Sequence, residues 1–201
     1  MEKVSYIIGR QIGGDFATQG IDVNMDTFLK GFSSSIEGTE AVLTMEETQE
    51  IMNAFQVEMT AKAQKMASEA GGKNLEVGAK YLELNKQKEG VMCTASGLQY
   101  KVEKSGEGAT PKAESTVEVH YEGTLIDGTV FDSSFQRGQT TSFPVNGVIP
   151  GWTEALQLMK EGDVWHLTIP SSLAYGEQGA GGQIGPNAVL NFKVELIKVV
   201  S

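Results

Sequence analysis

The feature that most limits how this chain can fold is a change of hydrophobic period near Gly90. Before it, apolar side chains recur at helical spacing; after it, they alternate or run together with β-branched residues. Helix and strand patterns are segregated along the chain, so the fold class is α+β, with helices first and a sheet carrying one short helix second.

Residues 1–43 hold two short helical patterns. Ile8, Ile12 and Phe16 recur every fourth position, and Gly9 and Gly13 beside them make a smooth face that another helix can approach closely. Met25, Phe28, Leu29, Phe32 and Ile36 mark the second helix, with Asn24 or Asp22 as its N-cap and Gly38 as its stop. Neither helix is long enough to bury its stripe alone.

Residues 44–90 read as a long connecting helix. Thr44 and Glu47 form a T-x-x-E capping box, in which each side chain satisfies an orphan N–H. Met45, Met52, Met59 and Met66 then fall seven apart, with Phe55 alongside, which turns one seam of the helix toward one partner. Such a ladder suits packing against the first two helices or a second subunit; it also suits an adaptable surface for varied clients. Gly71-Gly72 interrupts the pattern. Two adjacent glycines, each about 1 kcal/mol worse than alanine in a helix, predict a kink or flexible joint there. The stripe resumes at Leu75, Ala79 and Leu82 and closes with "NKQKEG", where Lys86 and Lys88 suit the last turn and Gly90 the C′ position.

Residues 91–201 read as strands in "GLQYKVEKSG", "STVEVHYEGTL", "VWHLTIP" and "AVLNFKVELIKVV". Asp127-Gly128 has the composition of a two-residue hairpin turn. Only "GWTEALQLM" reads as helix, with Trp152, Leu156 and Met159 on one face.

Charge removes several functions. The chain carries 16 basic and 26 acidic residues, a net charge of −10. Residues 1–90 hold 9 basic and 14 acidic side chains and residues 91–201 hold 7 and 12, so neither part is a basic arm. Nucleic acid and anionic membrane surfaces are thereby excluded as partners. Cys93 is the only cysteine, which rules out an internal disulfide and suits a reducing compartment. No apolar run reaches membrane-spanning length, and "MEKVSYIIGRQIGGDF" has no signal-type apolar core. The sequence as written predicts a cytoplasmic protein, or a periplasmic one if a signal peptide was removed before Met1.

Most catalytic constellations are missing. The loop "GEQGAGGQIGP" has no following Lys-Ser/Thr and leads into a strand, whereas phosphate loops open a helix. His120 and His166 lie in strand patterns and, with one cysteine, make no zinc site; no metal or cofactor is expected. No G-x-S-x-G elbow is present. What remains is aromatic: Tyr121, Phe131, Phe143, Trp152, Tyr175 and Phe192 each stand beside a turn or strand end. Core packing would explain any one of them. Asp132 and Arg137 lie among them, a carboxylate and a guanidinium placed to pair at the rim of an apolar pocket.

"VHYEGTLIDGTVFDSS", "GVIPGWTEALQLMKEGDVWHLTIP", "LAYG" and "LNFKVEL" together closely resemble the FKBP family of peptidyl-prolyl cis-trans isomerases, over about residues 91–201. The part from "SYIIGRQIG" through "GAKYLELNKQKEGV" resembles the dimerisation region of the bacterial Mip-like branch. The resemblance implies a half-open antiparallel sheet wrapped over one short helix, a helical region that dimerises through residues 1–43, and a proline pocket between sheet and helix. It makes Trp152 the pocket floor, with Tyr121, Phe131, Asp132, Arg137, Phe143, Val148, Ile149, Tyr175 and Phe192 around it. Asp132, Tyr121 and Tyr175 take the catalytic roles. The segment "TTSFPVNGVIPGW" is shorter than in the animal single-domain form, and Ala180 stands where many members carry a larger side chain.

The implied function is isomerisation of X–Pro bonds during protein folding, acting on unfolded or partly folded proline-containing proteins. Macrolides of the rapamycin and tacrolimus type are the implied inhibitors. The alternative is an FKBP scaffold serving as a chaperone or adaptor that binds proline-containing segments, with isomerisation incidental. Retention of the whole aromatic set with Asp132 favours the enzyme.

Overall fold

A computed structural model describes residues 1–200. They form two compact units, Met1–Met59 and the described residues from Thr60 onward.

In the first unit, helix α1 (Glu2–Gln19) ends on Gly20 and α2 (Met25–Glu37) ends on Gly38, both left-handed. Asn24, rather than Asp22, caps α2, its side chain accepting from the Thr27 N–H at 3.0 Å. The helices meet through Phe16 and Phe28, packed edge to face with centroids 5.6 Å apart. No residue of either helix is buried. Helix α3 (Met45–Asn85) opens with the capping box: Glu47 Oε2 accepts from the Thr44 N–H at 2.8 Å, and Thr44 Oγ1 accepts from the Glu47 N–H at 3.2 Å. Of the methionine ladder, Met45, Met52 and Met66 are exposed and Met59 is half-buried.

The second unit differs from the sequence reading at α3. The helix runs without interruption through Gly71-Gly72 and stops at Asn85, short of the expected end. Its packed face is Gly71, Asn74, Gly78, Leu82 and Asn85, while Leu75 is half exposed. The glycines allow close approach: a Cβ on Gly78 would lie 2.8 Å from Val189 Cγ2. The end of the helix is held by polar groups. Asn85 Nδ2 donates to Gln99 Oε1 at 2.9 Å and to Thr168 Oγ1 at 3.2 Å, and Gln99 Nε2 donates to the Leu82 carbonyl at 2.9 Å. Thr168 Oγ1 donates to Asn191 Oδ1 at 2.8 Å, and Asn191 Nδ2 donates to the Tyr81 hydroxyl at 3.0 Å. Such a network is costly only when left partly made, and here each buried amide is engaged.

The seven strands are β1 (Val91–Cys93), β2 (Gln99–Lys104), β3 (Thr116–Leu125), β4 (Val130–Ser133), β5 (Thr141–Pro144), β6 (Val164–Ile169) and β7 (Leu190–Val200). They form one antiparallel sheet in the order β1-β2-β6-β7-β3-β4, and β5 also pairs with β3. One edge of β3 is shared: its start pairs with β5 (Val117↔Phe143) and its end with β4 (Gly123↔Asp132). Alternation fixes the buried face, with Val117, Val119 and Tyr121 on β3 and Leu190, Phe192, Val194 and Leu196 on β7. Helix α4 (Ser134–Arg137) is a single turn, and α5 (Pro150–Leu156) buries Trp152, Ala155 and Leu156 in the core.

The β3–β4 turn is wider than expected. Leu125 N–H donates to the Thr129 carbonyl at 2.9 Å, and Gly128 N–H to the Leu125 carbonyl at 3.0 Å, enclosing three residues. Gly128 is left-handed at φ 89°, but Asp127 is not. A two-residue type I′ turn needs both, so the three-residue form wins.

Candidate active site

The fork in the sheet places the site. Beside the stretch of β3 between its β5-paired start and its β4-paired end, the start of α5 packs through Trp152 against Tyr121 and Phe143. Proline at the first helical position presets its backbone. Gly151 lets the helix approach β6, since a Cβ there would lie 2.5 Å from Ile169 Cγ2.

That entry sets Trp152 at the centre of an aromatic box. Its ring meets Tyr121 at 5.3 Å, Phe143 at 5.8 Å and Phe192 at 5.3 Å between centroids, each nearly perpendicular. Phe131 stands edge to face on Phe192 at 5.6 Å. These are the favoured edge-to-face geometries, each worth about 0.5–1.5 kcal/mol beyond area burial. Trp152 is only 4% exposed, and its indole N–H has no hydrogen-bond partner among the described residues.

Above the box lies a cavity of about 420 Å³ lined by Tyr121, Phe131, Asp132, Phe143, Gly147, Val148, Ile149, Trp152, Tyr175 and Phe192. Nine of the ten residues expected from the sequence line it. Arg137 does not: it stands behind Asp132, because the single turn of α4 aims it back across the carboxylate. Gly147 was missed. It closes the turn before Val148, where a Cβ would lie 2.7 Å from Pro144 Cγ.

The cavity wall carries one charge, and it is tied down. The Tyr121 hydroxyl donates to Asp132 Oδ2, and Arg137 Nη1 donates to Oδ1. Arg137 Nη2 also donates to the Tyr121 hydroxyl at 3.0 Å. Desolvation would raise the Asp132 carboxyl, but these hydrogen bonds and the guanidinium charge outweigh it and hold the group below the usual range. Desolvation, reinforced by the carboxylate, raises the Tyr121 phenol, so it stays a donor.

Two further polar groups on the wall are unengaged. Neither the Ile149 N–H nor the Tyr175 hydroxyl is bonded to a described residue. Ala180 lies beyond the wall, bridged to Ile184 in the loop after Tyr175. His120 and His166 are away from the cavity; His120 Nδ1 is 2.9 Å from Ser134 Oγ, and His166 Nε2 is 2.6 Å from Glu103 Oε2. Among the described residues, no group of three or more His, Cys, Asp or Glu is placed to hold a metal. The cavity can hold an apolar ring on an indole and accept or donate at three fixed points.

Known proteins share this plan. A family model described as "FKBP-type peptidyl-prolyl cis-trans isomerase" matches residues 107–197, and one described as "Domain amino terminal to FKBP-type peptidyl-prolyl isomerase" matches residues 1–102. The chain is 45% identical over 198 residues to the "Outer membrane protein MIP" of Legionella longbeachae, covering 98% of this chain and 85% of that protein. It is 44% identical over 203 residues to the "FKBP-type 22 kDa peptidyl-prolyl cis-trans isomerase" of Escherichia coli (strain K12), covering 98% and 95%. The crystal structure of FkpA from Escherichia coli superposes with a TM-score of 0.76 at 36% identity, covering 98% of this chain and 95% of that one. No described helix is long and apolar enough to cross a membrane. The expectation of a cytoplasmic location draws no support from these relatives, one of which is named an outer membrane protein. By sequence over nearly its whole length and by fold, the chain belongs to the FKBP-type peptidyl-prolyl cis-trans isomerases, in the branch that carries a helical region ahead of the sheet, and its activity is the isomerisation of X–Pro peptide bonds.

Proposed function

We propose that the substrate proline ring rests on Trp152, between Tyr121, Phe131, Phe143 and Phe192, with Val148 and Ile149 at the entrance. The Ile149 N–H and the Tyr175 hydroxyl hold the carbonyls that flank the reacting bond. Asp132 lies against the reacting carbonyl, steadied by Tyr121 and Arg137. Twisting the X–Pro amide breaks its resonance, against a barrier of about 18–20 kcal/mol. A thousandfold acceleration needs only about 4 kcal/mol of that. The twisted amide has lost charge separation, so an apolar cavity disfavours it less than the planar form. Catalysis then comes from tighter binding of the twisted state. The observation that supports this most directly is an indole floor with two unengaged polar groups and one pinned carboxylate on the same cavity. A macrolide of the rapamycin or tacrolimus type fits the same apolar floor as an inhibitor.

We further infer that residues 1–43 form a homodimer core, residues 44–90 a connecting helix and residues 91–201 the isomerase domain, in a protein that captures unfolded clients. Supporting it is the groove of about 420 Å³ between α1 and α2, lined by Ile8, Ile12, Phe16, Phe28 and Phe32, whose helices bury nothing on their own. Two pockets carried by one dimer raise the local concentration of a bound chain. The test compares the full chain with residues 60–201 by sedimentation, by a protease-coupled proline-tetrapeptide assay and by proline-limited refolding of a whole protein. The full chain should be a dimer active in both assays. The fragment should be a monomer that keeps tetrapeptide activity and loses most refolding activity. A monomeric full chain, or a fragment that refolds proteins as well, rejects dimeric capture. A full chain inactive on the tetrapeptide rejects the assigned pocket roles.

A further inference from the structure

The residues that line the cavity come from the sheet, α5 and the loops, and none comes from α3. Yet α3 touches the far end of the loop that follows Tyr175. In that loop, residues 176–187, five of twelve residues are glycine. Gly176, Gly179, Gly181 and Gly182 are left-handed there. Glycine loses more freedom on ordering than any other residue, so this loop needs ties to stay in one form.

Two ties are internal. Ala180 and Ile184 exchange hydrogen bonds of 2.8 and 3.0 Å near the tip. At the base, the Asn187 N–H donates to the Gly176 carbonyl at 2.7 Å, directly beyond Tyr175. Asn187 takes a left-handed φ of 56°, which asparagine tolerates but does not prefer.

The third tie comes from α3. Asn74 Nδ2 donates to the Pro186 carbonyl at 2.8 Å. That carbonyl and the Asn187 N–H belong to one peptide unit. The unit is planar, so fixing its oxygen also aims its N–H. The two bonds run in series through one amide, from Asn74 to Gly176, and bonds arranged so polarise one another. Gly71 makes room: a Cβ there would lie 3.2 Å from both Asn187 Nδ2 and Pro186 Cβ.

We propose that Asn74 is a positioning residue of the isomerase pocket, which acts through the 186–187 peptide to hold Tyr175 in place. It rests on the reading of Tyr175 as a carbonyl holder. A flanking carbonyl is bound in the planar and twisted states alike, so a misplaced Tyr175 weakens substrate binding with little change in turnover.

The test uses full-length Asn74→Ala, Tyr175→Phe and the double variant. Asn74→Ala should raise KM for a proline tetrapeptide about fivefold, the effect of one neutral hydrogen bond, and leave kcat within about twofold. Amide exchange at Asn187 should quicken about tenfold or more, with exchange in the β6–β7 pair unchanged. In the Tyr175→Phe background the added effect of Asn74→Ala on KM should vanish. An Asn187 amide that exchanges at the parent rate overturns the proposal, and so does an equal KM penalty with or without the Tyr175 hydroxyl. If Tyr175→Phe alone behaves as the parent, the carbonyl-holding role falls instead. The Asn187 amide still decides whether α3 braces the loop.

Discussion

Tyr121 and Asp132 meet across the β3–β4 pair, the tyrosine hydroxyl donating to Oδ2 of the carboxylate. Asp132 pairs with Gly123, and Tyr121 lies two residues along β3 on the same face. The register therefore delivers the phenol to the carboxylate, while Arg137 takes the other oxygen. The pair serves the cavity more than the core, because the Asp132 and Arg137 side chains are 41% and 42% exposed. Asp132→Leu should lower kcat/KM for a proline tetrapeptide about tenfold or more, with the thermal midpoint close to the parent's. Parent-like turnover would remove Asp132 from the mechanism, and a collapsed fold would make it structural.

The same contacts set the pH response. Asp132 titrates below the usual carboxylate range in the folded chain, so its ionised form contributes stability above the unfolded value, and that contribution is lost as pH falls through the folded one. Tyr121 titrates above its usual value and stays protonated through neutral pH. A plot of kcat/KM against pH should be flat from about pH 5 to 9 and fall only in stronger acid. Arg137→Leu removes two donors and a charge, which moves the acid limb upward. An unmoved limb would show that Asp132 ionisation does not govern the rate.

Trp152 should report ligand. Trp165 is also buried, stacked on Tyr100 at 4.4 Å, so the measurement belongs in a Trp165→Phe background. There, rapamycin should change the remaining fluorescence and inhibit isomerisation competitively. Inhibition with unchanged emission would place the drug away from the indole.

Gly123 leaves room for two rings. A Cβ on it would lie 2.6 Å from Phe131 and 2.8 Å from Phe192. Gly123→Ala should therefore cost about 1–3 kcal/mol in urea denaturation, the usual penalty of overpacking. It should also lower kcat/KM, because both rings line the cavity. Parent stability and activity together would mean that the rings shift freely.

The end of α3 belongs to the stability of the sheet. Residues 90–201 lack Asn85, so Gln99 and Thr168 lose their amide partner. Each such loss costs about 1 kcal/mol or more. Compared with residues 60–201, that fragment should unfold at lower urea and bind the tetrapeptide more weakly. Equal midpoints would show the polar network to be dispensable.

Local signals carried most of the site. The box around Trp152 was legible because its residues lie in short motifs whose order alone identifies the family. Gly123 had a signal that went unused: a glycine inside a strand pattern marks close approach. Arg137 was expected on the wall, since pairing with Asp132 says nothing about which side of the carboxylate it takes. The packed face of α3 was hidden for a different reason. Nothing in the local pattern singles out Asn74, Asn85, Gln99, Thr168 or Asn191, because their partners are distant in sequence. Gly71 read as a joint because propensity weighs a glycine's cost within its own helix and cannot see Pro186 and Asn187 against it.

The longest strand pairing has a consequence for synthesis. Strand β3 runs its whole length against β7, from Thr116↔Val200 to Leu125↔Leu190. Of the seven strands, β7 is translated last, and it brings Phe192, a wall of the cavity. A ribosome that has made everything through Gly185 holds helices able to form and Trp152 already polymerised, but its sheet lacks the strand between β3 and β6. Such a nascent chain lacks the Phe192 wall of the cavity, and without β7 the facing edges of β3 and β6 have no partner. The cavity is therefore complete only after the last of the seven strands has been made and paired, so closing it depends on the contacts most distant along the chain.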